Sequence, residues 1–250
     1  MKRTILTGVA MMAAGLFGLA AQTPAPKDMK PKSSAERKAV MAIQSATDPD
    51  ATIKASEELV TKFADSDYKE YALQMEASAY KTKGDKDQAR VVAERCLQVN
   101  PKNFLMQLMI ADIITPNIKK FDLDHDKEVA EVTKLYTDAI ENAKVAPKPS
   151  AAVSDADWAN QIKWSIAAAH NGLAMLAQVQ DKWDDAVKEY QLAVDGDPDQ
   201  DAYSARLANV LVAAGKKKEA IEICDKLLAK PNLHPQIKAV VTSIKNQASQ

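Results

Sequence analysis

Residues 182–198, KWDDAVKEYQLAVDGDP, and 216–232, KKKEAIEICDKLLAKPN, carry one pattern written twice, 34 residues apart. Ala186 falls on Ala220, Val187 on Ile221, Tyr190 on Cys224 and Ala193 on Leu227. Upstream, Leu173-Ala174 falls on Leu207-Ala208. Self-similarity at a period of roughly 20–50 residues constrains a chain more than any single motif, because each unit hides its apolar face only against the next copy.

Within each unit the apolar residues recur every three or four positions, which is helical spacing. Gly215 marks a turn between two helices, and Pro198 and Pro231 close their units. Residues 70–103 form another copy, with Ala77 and Tyr80 in a first helix, Gly84 in the turn, Ala89 in a second helix and Pro101 at the end. The interval from Ala89 to Pro101 equals that from Ala186 to Pro198. Residues 33–66 are a weaker copy, with Ala64 in place of the closing proline. Residues 104–146 are a copy with extra residues in the turn, around TPNIKKFDLDHD; Ile110-Ala111 mark its first helix, Tyr136 and Ala139 its second.

Pro147 and Pro149 break the helix, giving a linker at 147–154. Ser154 or Asp155 caps a long helix that runs to about Gln180. Repeats at 167–200 and 201–234 follow, and a helix at 235–250 caps the open end. Only 5% of residues are aromatic, and three of the seven glycines lie in the first twenty residues. An all-α body is therefore expected.

The period and its small–large pattern resemble the tetratricopeptide repeat family, strongly over about 100 residues and loosely over most of the rest. The resemblance implies an all-α, right-handed superhelical solenoid over residues 33–250, with about five antiparallel helix pairs and a C-terminal capping helix. It also implies that the first helices line a concave groove holding a peptide or extended segment. Carried over by helical position, the lining includes Tyr71, Leu105, Leu108, Asn171, Met175, Arg206 and Asn209, with Lys81 and Asp112 in the same rows. Some family members grip a terminal carboxylate, but Met175 and Ala202 stand where polar clamp residues are expected, so no clamp is read here. A ligand with apolar side chains fits better, its backbone amides bonded by Asn171 and Asn209.

The long helix sorts into two faces. Trp158, Ile162, Ile166, Ala169, Leu173 and Leu176 should meet the core. Trp164, Ala168, Asn171, Met175 and Gln178 share another face, toward the groove. Trp164 is either a binding hot spot or packing against the 147–156 linker, with the linker favoured. Gly172 costs about 1 kcal/mol against alanine inside a helix. It is explained by close approach of a ligand or by simple tolerance.

The N-terminus, MKRTILTGVAMMAAGLFGLAAQTPAP, has two basic residues, an uncharged run and a small-residue end. It reads as a signal peptide over residues 1–20, favoured over an uncleaved membrane anchor, followed by a disordered leader at 21–32. Membrane contact is expected only through that segment if it is retained. Cys96 and Cys224 fall in second helices of well-separated repeats. Stacked helices lie about 8–10 Å apart, whereas a disulfide needs Cα atoms within about 7 Å. Both cysteines are read as buried free thiols.

Signals of catalysis fall short. His125, His170 and His234 lie in different units, and no phosphate loop, metalloprotease pair or nucleophile elbow occurs. Asp122, Asp124 and Asp126 alternate like the opening of a calcium loop, but Lys127 and Thr133 stand where its glycine and glutamate are required. No metal, cofactor or catalytic residue is assigned. Charge is balanced, 33 basic against 34 acidic groups, which gives no footprint for nucleic acid. The expectation is an exported, non-catalytic adaptor or scaffold, periplasmic or secreted, that binds a protein or peptide. The alternative is a self-associating component, a homo-oligomer, or a regulatory subunit of an envelope complex.

Overall fold

A computed structural model of the chain describes residues 29–150 and 152–250. Among them the backbone forms eleven α-helices and no strand. Five hairpins follow one another: α1 (Ser34–Gln44) with α2 (Pro49–Lys62), α3 (Lys69–Thr82) with α4 (Lys86–Val99), α5 (Phe104–Ile114) with α6 (His125–Val145), α7 (Asp155–Val179) with α8 (Trp183–Gly196), and α9 (Asp201–Ala213) with α10 (Lys217–Leu228). The last helix, α11 (Pro235–Ala248), closes the stack against α9 and α10. Every helix packs on its neighbours in the chain, the arrangement of a solenoid.

The expected signal peptide, and the leader as far as residue 28, lie outside the described residues. The end of the leader differs from an unstructured tail. The Tyr68 hydroxyl donates to the Met29 carbonyl, and Lys32 pairs with Asp65 and Asp67. Residues 29–32 are irregular but docked, because Met29 adds apolar cover to the Val40–Leu59–Tyr71 cluster.

Local sequence sets the helix starts. Side chains of Ser33, Asp48, Asp85, Asn103 and Ser154 each accept from a backbone N–H three residues on, at 2.8–3.1 Å. Each such cap is worth about 1 kcal/mol. The turns inside three hairpins share one device. Gly84, Asp181 and Gly215 sit at φ 81°, 56° and 79°, the left-handed region that ends one helix and lets the next fold back.

Small residues then allow close crossing. Ala77, Ala111, Ala174 and Ala208 in first helices, and Ala89, Ala139, Ala186 and Ala220 in second helices, are all buried. Bulk fills the gaps between them, and Tyr136 and Tyr190 are among the largest fully buried side chains. On α7, Trp158, Ile162, Ile166, Ala169, Leu173 and Leu176 join the central core, as the helical spacing requires. Trp158 meets Phe104 edge-on, ring centroids 6.2 Å apart, and its Nε1 donates to the Ala146 carbonyl at 3.3 Å. His170 is a structural tie from α7 to α8, its Nδ1 2.7 Å from a Glu189 carboxylate oxygen.

Candidate functional site

The second helix α6 sends Tyr136 between α5 and α7. A Cβ on Gly172 would overlap the Cζ, Oη and Cε1 atoms of that ring, so α7 must carry glycine there for the ring to pass. The Tyr136 hydroxyl donates to Asp112 Oδ1 on α5 at 2.9 Å. The Thr115 hydroxyl lies 3.0 Å from the same phenol oxygen and 2.7 Å from the Ala111 carbonyl. With the Tyr136 hydrogen committed to Asp112, Thr115 is left to donate to either neighbour.

Charged groups from three first helices surround this bond. Asp112 is half-buried and crowded by protein. That desolvation holds its carboxyl above the usual range, against the pull of Lys81, the Tyr136 hydrogen bond and Arg206. Desolvation likewise brings the Lys81 ammonium down to about 8, with Asp112 opposing it. The Tyr136 phenol is raised well above its ordinary value, chiefly by burial and next by the Asp112 charge. On α9, Tyr203 is raised by burial first and by Asp112 second, while Arg206 opposes.

Arg206 links two first helices. Its Nη1 donates to Asn171 Oδ1 at 2.5 Å, and Asn171 Nδ2 lies 3.8 Å from Met175 Sδ. One turn along α7, Gln178 accepts from the Tyr190 hydroxyl at 2.5 Å. A polar floor therefore runs from Lys81 through Asp112 and the Tyr136 hydroxyl to Asn171 and Arg206. Where water is restricted, hydrogen bonds and charges on such a floor act more strongly than on an open surface.

The residues expected to bind divide into two groups. Asn171, Met175 and Arg206 come together, and Asn209 lies half-buried one turn beyond Arg206. Tyr71 and Leu108 instead fill hydrophobic clusters, at 8% and 3% exposure, and Leu105 packs half-buried on the central core. Trp164 is half-buried on α7, and Trp158 donates to the Ala146 carbonyl just before the linker. Tyr136 and Tyr203 were not expected at the site. The signal for Tyr136 was Gly172 beside Asn171, a gap in a long helix that a neighbouring ring fills.

Asp122, Asp124 and Asp126 do not converge. Among the described residues no three His, Cys, Asp or Glu side chains gather to hold a metal ion. Cys96 and Cys224 are both buried and unbridged. Burial pushes the Cys96 thiol up to about 12. No described helix is long and apolar enough to cross a membrane.

Residues 169–244 match a family model described as tetratricopeptide repeat, and residues 71–103 match a second model of the same description. Among solved structures, the chain is similar to TTC0263, a thermophilic tetratricopeptide repeat protein of Thermus thermophilus. The TM-score is 0.55 at 12% identity, over 84% of this chain and 95% of that one. The MamA RS-1 ArsTM double mutant aligns with a TM-score of 0.47 at 14% identity, over 87% of this chain and 94% of that one. At 12% identity the first likeness speaks for the fold alone. No curated protein matches the chain.

Proposed function

We propose that this chain, which carries tetratricopeptide repeats at residues 71–103 and 169–244, is a non-catalytic adaptor or scaffold that holds a peptide or protein segment in its concave groove. Repeats of this kind generally mediate protein–protein interaction. The observation that carries the reading here is the floor from Lys81 and Asp112 to Asn171 and Arg206, to which α3, α5, α7 and α9 each contribute donors or acceptors. An extended segment presents unpaired amides every residue, and a floor of mixed donors and acceptors satisfies them. Met175 and the half-buried Trp164 offer apolar contact for its side chains.

The proposed place of action is outside the cytoplasm, in the periplasm or secreted. That part rests on the Lys2-Arg3 start, the uncharged run and the small residues before Gln22. Mass measurement of the protein recovered from cell fractions tests it, since export with cleavage removes about the first twenty residues.

Crosslinking in native envelope extract tests the groove. Partner peptides should attach at Lys81 and next to Arg206, and Trp164→Ala should lower capture about tenfold. Crosslinks confined to the outer face, on Lys188 or Lys226, would move the site elsewhere.

A further inference from the structure

The inserted turn between α5 and α6 leaves Phe121 and Leu123 bare, at 90% and 105% exposure, while no other large apolar side chain described exceeds 75%. Beside them, Lys120 pairs with Asp181 in the α7–α8 turn. The residues flanking Asp181, Gln180 and Lys182, line a cleft of about 660 Å³ between α6, α7 and α8. Its floor is Leu173, Leu176 and Ala177, Val129 lies on its α6 wall, and its rim carries three lysines and three carboxylates. A knob and an apolar hollow thus adjoin on one edge of the solenoid.

The knob is fastened outside its own hollow. Asp122 N donates to the Lys119 carbonyl and His125 N to the Asp122 carbonyl, at 3.2 and 3.1 Å. The His125 ring sits 3.1 Å from the Lys119 carbonyl, and the Lys120–Asp181 pair closes the other side.

We propose that a second copy of this chain fills the cleft, with Phe121 and Leu123 of each copy entering the hollow of the other in a two-fold pair. A surface carrying a projection next to a matching recess is self-complementary about a two-fold axis. Charge permits it as well. The loop bears Lys119 and Lys120 against Asp122 and Asp124, and the rim is equally balanced, so identical faces meet without net repulsion and the loop acids approach rim lysines. An anionic membrane surface suits this knob poorly, because Asp122 and Asp124 offset its two lysines and Lys120 is already paired with Asp181. Two anchoring side chains make a small interface, so the pair forms and separates with concentration. The pairing uses none of Lys81, Asp112, Asn171 and Arg206 and is independent of the groove reading.

Sedimentation equilibrium of the full chain across a concentration series tests the pairing. Wild type should populate a dimer. Phe121→Ser with Leu123→Ser, which spoils the knob, should raise the dimer Kd at least tenfold, and so should Ala130→Trp, which fills the hollow from an exposed cleft position. Mixing the two variants should restore part of the pairing, since one intact knob then meets one intact hollow. Helix content by circular dichroism should stay unchanged in both, because the substituted positions are exposed. A monomer at all concentrations overturns the proposal. So do a dimer indifferent to either variant, a loss with the knob variant alone, or no recovery on mixing.

Discussion

The ring of Tyr136 occupies the space that a side chain at position 172 would need, so a glycine in the middle of α7 serves a tyrosine on α6. Neither a ligand nor simple tolerance is required to explain it. The passage delivers the phenol to Asp112, and the 2.9 Å hydrogen bond there ties α6 to α5 beside the charges of Lys81 and Arg206.

Gly172→Ala therefore runs against the usual preference for alanine in helices. Propensity alone would add about 1 kcal/mol of stability. Overlap with the Tyr136 ring, however, costs on the order of 1–3 kcal/mol as the ring or α7 is displaced. The expected outcome is a lowered urea midpoint. The loss should shrink when Tyr136 is replaced by leucine in the same chain, because the overlap is then relieved.

Glu76 gives the fold a pH dependence. Its side chain is 1% exposed on α3, and neither carboxylate oxygen has a hydrogen-bond partner. Arg95 Nη1 lies 3.5 Å from Oε1, too weakly placed to offset burial, and Glu57 adds repulsion. Burial thus raises the carboxyl from 4.5 to about 7. A raised carboxyl stabilises the fold while it is protonated. Its contribution is complete below about pH 4.5 and is lost as pH rises through about 7, a change on the order of 3 kcal/mol. Glu76→Gln should raise the urea midpoint at pH 8 and flatten its change between pH 5 and pH 8.

The hairpin turns should respond to backbone conformation alone. No atom lies near a Cβ built on Gly84 or Gly215, yet both stand in the left-handed region. Gly84→Ala and Gly215→Ala should each cost about 1–2 kcal/mol in thermal or urea unfolding. Asp181 already accepts the same conformation and pairs with Lys120, so Asp181→Ala should lose both advantages.

Both cysteines should resist alkylation. Cys96 and Cys224 are buried, and burial raises both thiols, Cys96 to about 12, so little thiolate is present at neutral pH. Iodoacetamide should label neither in the folded protein within minutes, and both at once when urea unfolds it. Rapid labelling of Cys96 in the native state would contradict the packing of α4 against α3 and α5.

Much of the fold was legible because repetition fixes equivalent positions. Ala186 and Ala220 recur at 34 residues and are both buried, as are Tyr190 and Cys224. The alternating faces of α7 followed from spacing, and Trp158 through Leu176 pack as that spacing requires. The candidate site was less legible. Nine residues of the eleven-residue α5 are buried, from Phe104 to Ile114. A helix apolar on all sides shows no preferred face in its sequence, so Leu108 read as lining when it is core. Tyr136 was hidden for another reason. Periodicity assigns it correctly to the core, but no pattern within one helix tells that its hydroxyl emerges across the next.

The central claim is that the floor joining Lys81, Asp112, Asn171 and Arg206 is where a partner segment rests. Quantitative capture from native envelope extract by wild type and by Arg206→Ala, each confirmed as helical, tests it most directly. Loss of the 2.5 Å bond to Asn171 and of the Arg206 charge should weaken capture at least tenfold. Equal capture by both proteins would contradict it.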